Sequence, residues 1–296
     1  MTVRAVPVKL SIRPQIQWGA VLSAIPLLLW LSLLIVIPHI RLLIMSFTKH
    51  LEGGFYPGYY LQVFRNPVFT RVFFRTILYS AFNTFLTLVV VYPLAFLIAK
   101  VLKRSMQFIA LLVVAMPFWV SELVQVYAWM NILRETGFLN RFLVEVLGLL
   151  KQPVEFLYNR WALLTVLVYS SLLLMLMPIY SVLEELDNAQ IEAAQDLGAG
   201  WLATFLYVIW PTSLPGVTAG CIMVFTLSVG SYVIPNLVGG EEGLWVTEMI
   251  YNRFFIAMNW NLGSAYGFLL LTSTLLLIWL GLRLTRQTLR GAFKYV

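Results

Sequence analysis

Glu122 stands inside an apolar run at residues 108–133, with Trp119 three positions before it and Gln125 three after. In a continuous helix these three side chains share a face. A carboxylate beside an aromatic ring suits an ammonium group, because the charge and the ring quadrupole both attract it. Near mid-span a carboxylate is costly unless it is paired or faces water, so a wet path through the protein is one explanation of Glu122. A hydrogen bond to a neighbouring span, or a place near the outer end of a tilted helix, is the other. Ser228, Ser231, Tyr232 and Asn236, with Thr226, form a second polar set in a later apolar run, 214–238. They suit a path lining, and helix-to-helix hydrogen bonding explains them equally well. Asn83, in a run at 76–99, has the same two readings.

A different chemistry is written in 187–211, which interrupts the apolar sequence with Glu192 and Asp196 and no lysine or arginine. Asp187 can cap a helix start, with Gln190 three residues on at capping-box spacing, and Gly198 is a C-terminal stop. The short helix predicted over 188–197 carries Ala189, Ala193 and Leu197 on one small, apolar face. Glu192 and Asp196 form a stripe beside it. Such a helix fits a groove on a partner protein, and a plain surface linker is the alternative.

Catalytic chemistry has no foothold. The sequence lacks G-x-x-x-x-G-K-[ST], so ATP hydrolysis is not expected of this chain. Cys221 is single and lies within an apolar run, which excludes an intramolecular disulfide and a paired-thiol metal site. His39 and His50 do not make a metal site, and no nucleophile has an evident base partner. We expect no catalytic residue, no metal and no cofactor in this chain.

The elements that must position these groups follow from composition. Of 296 residues, 60% are hydrophobic and 11% charged, and the mean hydropathy is +0.85. A soluble domain carries about a quarter charged residues. A bilayer core about 30 Å thick needs roughly 20 apolar residues per helix. Six runs are long enough: 18–40, 76–99, 108–133, 161–183, 214–238 and 262–282, with Glu122 the one formal charge among them. Their continuous apolarity predicts helices rather than the alternating strands of a barrel. The expected fold is therefore all-α and polytopic, with six transmembrane helices at 18–285 and tails at 1–17 and 286–296.

The first run is too long for a cleaved secretory signal and reads as an uncleaved anchor. Basic residues are denser in the tails and in the connection after the second run, through Arg4, Lys9, Arg13, Lys100, Lys103, Arg104, Arg283, Arg286, Arg290 and Lys294, than in the opposite loops. That density predicts cytoplasmic termini and a cytoplasmic 187–211 loop. The basic residues flank a membrane instead of gathering on one soluble surface, which argues against nucleic acid as a partner.

Glu192-Ala193-Ala194, three residues, Gly198, nine residues, then Val208-Ile209-Trp210-Pro211 resembles the EAA loop of ABC-importer permeases, E-A-A-x3-G-x9-I-x-L-P. Val208 and Trp210 depart from the usual Ile and Leu. The likeness covers most of the chain, through Met116-Pro117-Phe118-Trp119, Gly137-Phe138-Leu139-Asn140, Met177-Pro178-Ile179-Tyr180 and Pro215-Gly216. It is strongest toward the polyamine branch, for spermidine and putrescine. This resemblance implies a bacterial inner-membrane permease subunit that works by alternating access. It implies two ATPase subunits that hold the ATP and magnesium, a second related permease, and an extracytoplasmic binding protein. On that pattern Glu192, Ala193, Ala194, Asp196, Gly198 and Pro211 would couple to the ATPase. An ion-coupled secondary transporter with Glu122 as its coupling carboxylate is the rival, and it leaves the EAA loop unexplained.

Overall fold

Inside a bilayer a lone segment satisfies its N–H and C=O groups by coiling into a helix, so the apolar runs dictate helices before any packing is considered. The computed structural model describes residues 18–49, 52–285 and 287. The tail assigned to 1–17, His50 and all of 286–296 except Gln287 lie outside the described residues.

Helix α1 covers Trp18–Leu31 and continues through a π-helical turn, Ser32–Val36, into Ile37–Ser46. The short α2, Gly58–Arg65, precedes α3, Pro67–Phe96, which ends in a π-helical turn at Leu97–Val101. α4, Arg104–Ala115, runs into a 3-10 turn, Met116–Trp119, and α5, Glu122–Leu133, follows. α6 is Phe138–Arg141, α7 is Arg160–Glu185 and α8 is Asn188–Asp196. α9 spans Trp201–Gly230, α10 is Val233–Val238, α11 is Val246–Tyr251 and α12 is Trp260–Leu284. Five helices are long and apolar enough to cross a membrane, and the bent pair formed around α4 and α5 makes a sixth if it is one span. The all-α, polytopic expectation is borne out.

Three runs behave differently from their sequence reading. The third is broken: Arg104–Trp119 and Glu122–Val146 meet at 96°. Val120 and Ser121 between them are extended, following a turn that contains Pro117, whose nitrogen has no hydrogen to donate. Gln125 stitches the corner by donating its amide to the carbonyls of Pro117 (2.7 Å) and Val120 (2.8 Å). The fifth run is likewise not one helix. α9 stops at Gly230, Ser231 is extended, and α10 holds the remainder. At its other end α9 begins at Trp201, with a π-helical turn, Phe205–Ile209, directly ahead of Pro211, where a proline ring would clash with the carbonyl four residues back. The second run starts earlier than expected, at Pro67, because Asn66 caps it by accepting from Val68 N (3.0 Å) and Phe69 N (3.3 Å). Arg71 and Arg75 therefore lie on α3.

The centre of the bundle is the packing of α7, α9 and α3, with Val91, Ala95, Met175, Ile179 and Val224 buried between them. Helices in lipid gain little from the hydrophobic effect and associate through close van der Waals contact. Gly216 makes that contact possible: a Cβ there would stand 2.4 Å from the carbonyl oxygen of Pro178. α12 lies along α1, tied at one end by Asn261, whose amide donates to the carbonyls of Met45 (2.9 Å) and Thr48 (2.7 Å). The outer face of α1 leaves Leu33, Ile37 and Ile40 exposed, as a surface in contact with lipid requires.

Candidate functional site

Two places bring the candidate residues together. The first is α8 with the turn after it. The Asp187 carboxylate accepts from Ala189 N (3.0 Å) at the start of the helix. At the end Gly198 takes φ +85°, its N–H reaches the carbonyl of Gln195 (2.8 Å), and Ala199 N reaches that of Ala194 (3.0 Å). That pair of bonds is a Schellman stop, which needs a left-handed residue at Gly198. Ile191 and Ala194 turn toward the body of the protein, whereas Ala189, Glu192, Ala193, Asp196 and Leu197 are exposed, Leu197 at 89%. The small, apolar face predicted from spacing is therefore free for a partner.

Lys100, at the end of α3, holds this segment to the bundle by donating to the Leu186 carbonyl and to Asn188 Oδ1. Nearby Arg104 pairs with Glu184 at 2.8 Å. Pro211 lies exposed inside α9, past the π-helical turn.

The second place is the corner between α4 and α5. Glu122 is the first residue of α5, exposed, and lines a cavity of about 230 Å³ with Ser170 and Ser171 of α7, Ser228 of α9, and Ser231 and Tyr232 beyond the α9 break. This corrects its placement in the middle of an unbroken span. The break also separates Trp119 from the α5 face. Trp119 ends the 3-10 turn and is 76% exposed, while the Gln125 amide is spent on the corner itself. The expected triplet of Trp119, Glu122 and Gln125 on one helical face is therefore absent. Asn236 lies on α10, exposed and outside the cavity lining.

Ser228 is 1% exposed and belongs to a polar junction of three helices. Asn83 Nδ2 of α3 donates to Ser171 Oγ (3.4 Å) and to Ser228 Oγ (3.3 Å). The Ser170 and Ser231 hydroxyls, buried beside that junction, have no hydrogen-bond partner among the described residues, which leaves donor and acceptor capacity at the cavity wall. Sequence reasoning missed Ser170 and Ser171. Single hydroxyls inside a long apolar helix carry no periodic signal, and only the packing of α7 against α9 turns them toward Glu122. A larger cavity of about 490 Å³ lies between α3, α9 and α12, lined by groups such as Leu88, Val217, Cys221 and Phe225. Its walls are mainly apolar, with the hydroxyls of Thr84, Thr218 and Thr285 and no carboxylate among them, so the Glu122 cavity, which has one, is the candidate path.

Comparison with known proteins agrees with this architecture. Over 241 residues the chain is 34% identical to the spermidine/putrescine transport system permease protein PotB of Haemophilus influenzae, covering 80% of this chain and 83% of that one. It is 33% identical over 263 residues to the protein of the same name from Escherichia coli, covering 86% and 91%. Among solved structures, that of a bacterial ABC transporter importing the acidic polysaccharide alginate superposes with a TM-score of 0.77 at 18% identity, over 91% of this chain and 95% of that chain. The same fold recurs, with a TM-score of 0.77 and 17% identity over 94% and 96%, in an alginate transporter in complex with a periplasmic protein bound to an alginate pentasaccharide. The model of the binding-protein-dependent transport system inner membrane component matches residues 91–290. With two thirds of its length under that model, including α7, the α8 loop and α9, the chain belongs to the family of inner-membrane permease components of binding-protein-dependent transport systems.

Proposed function

We propose that this permease moves a small organic cation, a polyamine such as spermidine or putrescine, by ATP-driven alternating access. The observation that carries the substrate class is the identity of about one third, over most of both chains, with permeases named for spermidine and putrescine. The Glu122 cavity supports it, since a carboxylate among hydroxyls offers an ammonium both charge and hydrogen-bond acceptors. In this reading Glu122, Ser228, Ser231 and Tyr232 belong to the substrate path. Trp119 stands at its edge, Gln125 shapes the corner, and Asn236 plays no direct part.

The chain works with two ATPase subunits, which bind ATP and magnesium, a second related permease that completes the path, and a periplasmic binding protein that delivers substrate. The α8 segment, with Glu192, Ala193, Ala194, Asp196 and Gly198, receives the ATPase through its exposed face. Pro211 sets the entry into α9. The termini lie in the cytoplasm together with α8. Motion of α8 passes to α7 and α9, which are packed against each other at Gly216 and reach the cavity. Ion coupling through Glu122 gains no support from the family.

Uptake of labelled spermidine by proteoliposomes containing the whole importer tests the proposal. Uptake should require internal ATP and the binding protein and should be competed by putrescine. Uptake of a neutral sugar with no response to either amine would sink it.

A further inference from the structure

α5 serves two cavities. Glu122 at its first turn opens on the one described above. At its other end Tyr127, Asn131 and Arg134 line a second cavity of about 340 Å³, closed by Glu135, Glu155 and Tyr158 of the connection to α7. α8 follows the C-terminal end of α7, so this second cavity sits at the opposite end of the bundle from α8.

The walls are built to hold their places. Asn140 is 1% exposed, and its Nδ2 donates to the carbonyls of Arg134 (3.1 Å) and Val154 (2.7 Å) while its Oδ1 accepts from Val154 N (2.8 Å). These bonds clamp the residue before Glu135 to the residue before Glu155, so the two carboxylates sit on segments fixed side by side. Tyr158 has φ +60°, a conformation that costs a non-glycine residue about 1–3 kcal/mol and persists where its surroundings impose it. On one side Asn159 caps α7, accepting from Trp161 N (2.9 Å) and Ala162 N (3.0 Å). On the other, Gly240 approaches so closely that a Cβ would stand 2.6 Å from the Tyr158 carbonyl oxygen.

Two carboxylates face one guanidinium, Arg134, which leaves the lining with a net charge of −1. Among the described residues neither carboxylate is engaged in an ion pair. A hydrated metal ion would make little use of aromatic walls, whereas an alkylammonium uses rings and carboxylates together. We propose that this cavity is an outer capture site for an organic ammonium group, drawn in by Glu135 and Glu155 and flanked by the rings of Tyr127 and Tyr158. It rests on the organic-cation reading above and adds a station to it. Substrate meets this site first and then reaches Glu122 at the first turn of α5, five positions and about 8 Å of helix from Tyr127.

The test uses the whole importer without nucleotide, carrying Asn131→Cys and Cys221→Ser in this chain. Modification of the introduced thiol by a cationic thiosulfonate is read as the mass of this chain. Spermidine is expected to slow the modification, and a neutral diol of similar length is not. Glu135→Gln with Glu155→Gln should raise the protecting spermidine concentration about tenfold, a loss of roughly 1.4 kcal/mol. Glu145→Gln, an exposed carboxylate on the turn after α6, should leave it unchanged. Tyr127→Cys in place of Asn131→Cys gives a second reporter on the same helix, and co-purification with the ATPase checks that each variant has assembled.

Equal protection in the parent and the double variant, or protection by the diol, overturns the capture site. So does a double variant that shifts only the concentration of liganded binding protein needed to stimulate ATP hydrolysis, because the face would then be a protein-docking surface. If protection fails while the unmodified importer still takes up spermidine, the capture site alone falls. If no amine is taken up at all, the reading beneath it falls too.

Discussion

The α8 loop and the Glu122 cavity sit at two levels of the same pair of helices and are made in opposite ways. α8 is assembled from neighbours in sequence: Asp187 caps it and Gly198 ends it, eleven positions apart. The cavity draws Glu122, Ser171, Ser228 and Ser231 from different elements, with Glu122 and Ser231 separated by 109 positions. One is a local solution of backbone hydrogen bonding, and the other exists only when α5, α7 and α9 are packed. From Ser171 to Glu185 the intervening stretch of α7 is 14 residues, about 21 Å of helix. The two regions should therefore fail separately: on the proposed roles, damage to α8 should uncouple the protein from an ATPase partner, and damage to the cavity should impair transport in an assembled complex.

The hardest test of that separation is Gly198→Val. No heavy atom lies near the site a Cβ would occupy, so the effect comes from forcing a β-branched residue to φ +85° or from losing the stop. Uptake should fall to background together with co-purification of the ATPase, while the permease remains in the membrane. If uptake and ATPase content both stay normal, α8 is not the coupling element.

Glu122→Gln should be next in size. It keeps shape and hydrogen bonding but removes the anion, and uptake of spermidine should drop about tenfold, roughly 1.4 kcal/mol of lost interaction. ATPase co-purification should be unaffected. Loss of both would merge the two regions, and unchanged uptake kinetics would take Glu122 out of the path.

Asn83→Leu probes the packing behind the cavity. It removes the bonds to Ser171 and Ser228, and hydrogen bonds between membrane helices average about 0.6 kcal/mol with values to about 1.7. The expected result is a lower thermal midpoint in detergent with ATPase docking retained. Arg104→Ala should do least. Its pair with Glu184 is solvated, with the Arg104 side chain 86% exposed, and such pairs contribute about 0–1 kcal/mol. A large loss of ATPase binding in this variant would show that the contact surface extends past α8.

Legibility followed the same division. The caps of α8, the stop at Gly198 and the exposed alanine face were readable because each depends on residues within a turn or two. Glu122 was found by its charge, but its surroundings were misread. An apolar run with one proline looks continuous, and nothing local announces that Gln125 will stabilise a right-angle corner by satisfying Pro117 and Val120. The same blindness joined α9 to α10 across Gly230 and Ser231, and it hid Ser170 and Ser171 inside α7. Asn140 stood in a motif quoted for its resemblance, and its clamp on Val154 emerged only from contacts across a loop.

By itself, then, the sequence determined what the bilayer and the local backbone demand: helices where apolar runs must satisfy their own hydrogen bonds, and a capped polar helix where a loop must stop and start again. The tertiary structure decided which hydroxyls face Glu122, where α4 turns into α5, and that Glu135 and Glu155 share a cavity. Those choices follow from how closely helices can approach, as Gly216 lets α9 approach Pro178, and from which buried polar groups can find partners across the bundle, as Asn83 does. Neither is a property of neighbouring residues, and both are settled only when distant segments meet.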